Sequence, residues 1–292
     1  MLDRQQRTVL WVLISAQLAI SGTYLMAKIG LREFTPLSFG FYRFLLAGLV
    51  FVALMAARGQ LRLPQPGDRK QFLWLALLVV PLNQGLFLYG MKYTLASHGA
   101  LFYSTTPILI LVLSCLFLGE RPTAPKVLGI ALGFAGVLLV LSDRGLGLSR
   151  DTLMGDGLIL VAVATWALYT ILSKRLLTRY PPLYVTGFSL AAGFLFFVPV
   201  GLPAALRQDY AAVTRAGLAS LLYLALLTSV LGYLIWNWGL SKLEASKVSV
   251  VSNLQPIIAA MLGWAFLGEP VTARFALGAA LAMAGVFLTE RG

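Results

Sequence analysis

Sulfur, imidazole and carboxylate side chains are scarce in this chain. It has one cysteine, one histidine and eleven acidic residues among 292. A single Cys115 excludes an intrachain disulfide and a cysteine metal cluster. Its place inside an apolar run makes a small buried hydrophobe the expectation. No His/Asp/Glu spacing suits a metal, no nucleophile stands beside a base, and no phosphate loop is present. The sequence therefore offers no cofactor or metal site. A membrane-embedded enzyme or assembly factor stays only as the reading from another class. The acids all fall at or near the ends of apolar runs or between them. None sits where a carboxylate would carry a proton through a bilayer, as in many pumps. Asp156, about one turn into its run, comes nearest, while Glu120 and Glu269 lie at helix junctions and are expected to satisfy backbone donors at the next helix start.

Charge of either sign is sparse too. Charged residues make up 12% and apolar ones 59%, against roughly 25% and 45–50% in soluble domains. The net charge of +12 is spread through short connections, which argues against a nucleic-acid surface. No connection is long enough to fold a soluble domain.

What the chain has in abundance is apolar runs of membrane-crossing length, about 20 residues. Hydropathy predicts ten, near 8–29, 36–57, 71–91, 96–118, 124–142, 153–176, 182–203, 216–239, 246–267 and 271–289. The first begins like a signal peptide, but it outlasts a normal apolar core and lacks a clean cleavage site, so it reads as a retained span. Lys and Arg number fourteen in the connections on one side and eight on the other. By the positive-inside rule both termini are cytoplasmic. The fold class is an all-α membrane protein of ten helices, with the lipid bilayer as its surroundings.

The chain is also written twice. Pro107, Gly119-Glu120, Thr123, Gly129 and Gly136-Val137 recur 149 residues later as Pro256, Gly268-Glu269, Thr272, Gly278 and Gly285-Val286. Ahead of them Tyr24, Pro36 and Ala47-Gly48 recur 145 later as Tyr169, Pro181 and Ala192-Gly193. The repeat divides the chain into 1–147 and 148–292, five spans each. Five is odd, so the second half would enter the membrane inverted, the arrangement of many secondary transporters.

These residues resemble a known family. Pro-x(11)-Gly-Glu leading into a glycine-rich last span, twice, together with Pro36 followed by Tyr42-Arg43-Phe44-Leu45-Leu46, resembles the EamA-type ten-helix members of the drug/metabolite transporter superfamily. Within it the chain is most similar to YddG-type exporters of aromatic amino acids. The resemblance implies a transporter of the inner membrane that moves a small organic molecule by alternating access. Amino acids in the export direction are the expected cargo, and a sugar-phosphate, nucleotide-sugar or drug transporter of the same fold is the alternative.

Polar residues in the middle of spans mark the expected site, because they are costly there unless they face a cavity or a partner. In the ninth span Ser249, Ser252 and Asn253 share a face ahead of Gln255 and Pro256. The fourth span matches them with Ala100, Tyr103 and Ser104, then Thr106 and Pro107. Each proline removes a backbone donor, so both helices should bend at these points. Pro81 should do the same beside Asn83 and Gln84 in the third span. Tyr233 and Asn237 occupy the comparable region of the eighth. Trp166, with Tyr169 one turn on, lies too deep for the interfacial belt that suits Trp11, Trp74, Trp238 and Trp264. It offers either an aromatic wall for cargo or plain bundle packing. Arg43 is the deepest cation, expected in a structural role, with a cargo carboxylate as the other reading. His98 is the candidate coupling group if protons drive transport. Gly129, Gly133, Gly278 and Ala282 form small-residue seams expected to pack within each half, leaving a monomer more expected than a dimer.

Overall fold

The computed structural model describes residues 4–142, 150–268 and 272–290, and for a few residues inside helices the backbone alone. Among the described residues the regular structure is helical, and the helices fall into ten rods in chain order. The first is Arg4–Ile20 and Thr23–Gly30, the second Pro36–Ala57, the third Pro66–Tyr93. The fourth is Ala96–Tyr103 and Thr106–Leu118, the fifth Ala124–Ser142, the sixth Arg150–Leu176 and the seventh Pro182–Leu206. The eighth is Arg215–Lys242. The ninth is Ala245–Val250, a 3₁₀ turn Val251–Leu254 and Gln255–Leu267, and the tenth is Ala273–Glu290. By length and composition seven of these could cross a membrane. The fifth and tenth hold shorter apolar segments, Ala124–Gly136 and Ala276–Gly285, and the ninth is divided.

Local chemistry sets the boundaries. The second rod starts with Thr35, whose Oγ1 accepts from the Ser38 N–H, followed by Pro36 in the first turn. The fourth ends at Gly119, φ 72°, and the ninth at Gly268, φ 69°. Left-handed backbone of this kind needs no compensation only in glycine.

The interruptions are placed as the prolines require, with one change of form. The fourth rod stops at Tyr103 and restarts at Thr106 ahead of Pro107. In the ninth a 3₁₀ turn does the same job ahead of Pro256, whose own ring lies outside the described side chains. At Pro81 the third rod does not simply bend. It widens into a π-helical stretch, Leu78–Gln84, and the eighth rod widens likewise over Tyr223–Gly232 with no proline at all.

Packing runs mainly between the halves. The second rod lies on the seventh, the fourth on the ninth and the fifth on the tenth. The first lies on the eighth, and the third correspondingly on the sixth. Among the described residues every packed pair of rods has its counterpart when the halves are exchanged. A duplicated chain related by a two-fold axis produces this pattern.

Two expectations are corrected by this packing. The small-residue seams do not close within a half. A Cβ at Gly285 would run into the Gly129 carbonyl oxygen and sit 2.8 Å from the Gly133 nitrogen, so the seam joins the fifth rod to the tenth. The residues that meet across this seam are not each other's counterparts, since the 149 offset pairs Gly285 with Gly136. Likewise Glu120 does not serve the helix that follows it. Its carboxylate accepts from the Ala245 N–H at 3.1 Å and the Ser246 hydroxyl at 2.7 Å, at the start of the ninth rod. Glu269 lies outside the described residues. Cys115 is half-buried rather than fully buried.

Candidate functional site: a cavity between the halves

A cavity of about 80 Å³ lies where the first, third, fourth, sixth, eighth and ninth rods meet, and Arg43 reaches it from the second. Over residues 84–106, where the repeat offset is 149, four lining residues meet their counterparts in the lining: Gln84 with Tyr233, Phe87 with Trp236, Tyr103 with Ser252, Thr106 with Gln255. The cavity therefore lies on the axis of the duplication.

Seven of the residues singled out from the sequence line it: Arg43, Gln84, Tyr103, Trp166, Tyr233, Ser252 and Gln255. Trp166 stacks on Tyr169, 5.3 Å between ring centroids, and meets Tyr233 at 5.1 Å and Trp236 at 5.4 Å. Opposite, Tyr24, Phe87 and Tyr103 form a second cluster with centroids 5.7–6.1 Å apart. The two clusters make aromatic walls with polar edges.

Other predicted residues support the walls from behind. Tyr169 is fully buried and accepts a hydrogen bond from Asn237 Nδ2 at 2.9 Å; the same amide donates to Thr186 Oγ1 at 2.9 Å. Asn83 Nδ2 donates to the Tyr103 hydroxyl at 2.9 Å and to the Ala162 carbonyl at 2.6 Å. Asn83 Oδ1 accepts from Gln84 Nε2, which leaves Gln84 Oε1 without a partner. The carbonyl of Ala162 can only accept, so this chain fixes the orientation of both amides. Ser104 turns its hydroxyl back to the Leu101 carbonyl at 2.6 Å and is not among the lining residues. His98 is buried and also outside the lining set. The Asn253 side chain lies outside the described residues.

Several lining residues carry little signal in the sequence. The first rod is broken at Ser21 and Gly22 without a proline. The Ser21 hydroxyl donates to the Gln17 carbonyl and the Thr23 hydroxyl to that of Ile20, both at 2.6 Å, while Tyr223 caps the Ala19 carbonyl. This turns Gln17, Thr23 and Tyr24 toward the cavity, where Thr23 meets Thr228 at 2.8 Å and the Tyr24 hydroxyl donates to Gln255 Oε1 at 2.9 Å. Trp236 was masked in the sequence by its neighbour Trp238, which reads as interfacial.

Unpartnered buried polar atoms gather around this space. They are Arg43 Nη1 and Nη2, Gln17 Nε2, Gln84 Oε1, Thr106 Oγ1 and Trp236 Nε1. Native interiors rarely leave such groups unpaired, and six of the ten such atoms among the described residues belong to this lining. Among the described residues no carboxylate lines it.

A family model described as the EamA-like transporter family matches the chain twice, over residues 6–142 and 153–291. The chain belongs to the EamA-like transporter family. It is a multi-pass membrane protein with that family's internal repeat. An uncharacterized transporter of Archaeoglobus fulgidus is 32% identical over 275 residues, covering 92% of each chain. A probable terminal-alkyne amino-acid exporter of Streptantibioticus cattleyicolor is 28% identical over 283 residues, covering 96% of this chain and 93% of its own. A crystal structure at 20% identity matches with a TM-score of 0.73 over 95% of this chain and 94% of that one, a likeness of fold.

Proposed function

We propose that this EamA-like transporter is an exporter of small organic metabolites with an apolar or aromatic body, amino acids foremost, working by alternating access in the bacterial inner membrane. The observation that carries the reading is the cavity on the duplication axis, lined by four pairs of equivalent residues. Two equivalent halves packed about one site can rearrange to open it to either side at similar free energy. In this reading all ten rods span the bilayer, the halves are inverted and both termini are cytoplasmic. The aromatic walls suit an apolar body, and the exporter relative is named for an amino-acid cargo. A phosphate-bearing cargo fits less well, since Arg43 is the one cation among the lining residues. Among the described residues no acid lines the cavity, which supports facilitated export, or coupling through His98, over a carboxylate proton relay.

Purified protein in liposomes, or everted vesicles, tests this with a panel of labelled amino acids. Flux above protein-free controls is expected for aromatic and branched members. Flux equal to the controls across the whole panel would sink the reading. Trp166→Ala is expected to lower flux of an aromatic amino acid about tenfold, and that of a small polar one far less. This corresponds to the roughly 0.5–1.5 kcal/mol of an aromatic contact.

A further inference from the structure

The least ordinary group in the cavity is Arg43. Its side chain has no exposure to water, and of its five N–H groups only the one on Nε has a partner, the Ser229 hydroxyl at 2.8 Å. Nη1 and Nη2 are buried and unpartnered. The Phe44 ring 5.0 Å from Cζ gives the cation an aromatic face but accepts no N–H in that fork. An unpaired buried charge is among the most unfavourable features a fold can carry, and here it borders a cavity. Arginine's planar fork is shaped for the two oxygens of a carboxylate, bound side by side. The other unpartnered atoms lean the same way: Gln17 Nε2 and Trp236 Nε1 donate, Thr106 can do either, and Gln84 Oε1 alone only accepts.

We infer that Arg43 is the anchor for a cargo carboxylate, and that the carboxylate, not an α-ammonium, is the group the site requires. The cargo class is then an organic carboxylate with an apolar or aromatic body, amino acids and their deaminated analogues alike. The carboxylate pairs with the Arg43 fork and neutralises it, while the body lies against Trp166 and Trp236. An ammonium finds no carboxylate among the described lining residues, only neutral acceptors such as Gln84 Oε1 and the Thr106 hydroxyl, and aromatic faces. Ser229, outside the lining set, is a positioning residue that holds the guanidinium through Nε. This inference rests on the cavity being the cargo site of the proposed exporter.

Three ligands that share a phenyl group separate the contributions: 3-phenylpropionate, phenylalanine and 2-phenylethylamine. Binding to the full-length protein in detergent is read from tryptophan fluorescence, since two indoles line the cavity. The acid is expected to bind at least as tightly as phenylalanine, and the amine at least tenfold more weakly than either. Arg43→Lys keeps the charge and loses the fork; it should weaken both carboxylates about tenfold and leave the amine unchanged. Should that variant fail to run as a monodisperse peak, Ser229→Ala should weaken the carboxylates several-fold. Equal binding of acid and amine, carboxylate binding unaltered in these variants, or no carboxylate binding to monodisperse wild type overturns the anchor. Carboxylate binding without flux in liposomes keeps the anchor and overturns transport instead.

Discussion

The two halves share a fold and a contact pattern, yet they bring different chemistry to the cavity. From the first half come the guanidinium of Arg43, the amides of Gln17 and Gln84 and the hydroxyl of Thr106, all with unpartnered atoms. From the second come the indoles of Trp166 and Trp236 with the Tyr233 ring. Equivalent positions show the division directly: Gln84 faces Tyr233 in the alignment, and Phe87 faces Trp236. The first rod is broken at Ser21 and Gly22, whereas the sixth is continuous from Arg150 to Leu176. As a result Tyr24 lines the cavity and bonds across to Gln255, while its counterpart Tyr169 lies behind Trp166 and bonds Asn237 within its own half. Symmetry of backbone thus goes with asymmetry of side chains; in the proposed reading the cargo's head lies toward the first half and its body toward the second.

The seam between the fifth and tenth rods gives the largest expected effect. Gly285→Ala places a methyl group against the backbone of Gly129 and Gly133, whereas a Cβ at Gly133 meets nothing within 4 Å. Overpacking of this kind costs about 1–3 kcal/mol, and Gly133→Ala should be neutral or stabilising by roughly 0.5–1 kcal/mol through helix propensity. Melting in detergent followed by size exclusion measures both, and equal melting points would remove the asymmetry of the seam. Next in size, Trp236→Ala should reduce flux of an aromatic cargo about tenfold and Phe87→Ala about threefold, within the range of aromatic contacts. Equal losses would mean that both halves hold the body of the cargo. Smallest is the tyrosine pair. Tyr24→Phe and Tyr169→Phe should each cost about 1 kcal/mol of stability, the net worth of a hydrogen bond. Only Tyr24→Phe, which cuts a tie between halves, should alter turnover; a matching change from Tyr169→Phe would show that the second tyrosine also moves with the transport cycle.

The duplication, the helical class and part of the lining were legible in the sequence because each leaves a pattern along the chain. Repeat offsets, apolar runs and a tryptophan too deep for an interface can all be counted. Tertiary partners leave no such trace. Asn83 reads as a cavity residue but spends its amide on Tyr103 and Ala162, and Asn237 spends its own on Tyr169 and Thr186. Glu120 is recognisable as a helix cap, though not as the cap of a helix over a hundred residues away. The break in the first rod rests on Ser, Thr and Tyr hydroxyls that rescue backbone carbonyls, a job these residues do elsewhere without any break. The π-helical stretch of the eighth rod has no proline to announce it. Arg43 was readable as a deep cation, but its idle fork depends on what surrounds it in space.

The fifth rod has one further implication for how the chain must be put together. It packs on the tenth and on little else, backbone against backbone at Gly285, Gly129 and Gly133. A half made alone would hold a helix with no mate, and the faces that its first four helices turn toward the other half would be bare. In the language of assembly the molecule is a dimer whose two subunits happen to share one polypeptide. A unit that closes both this seam and the faces around the cavity needs both halves together.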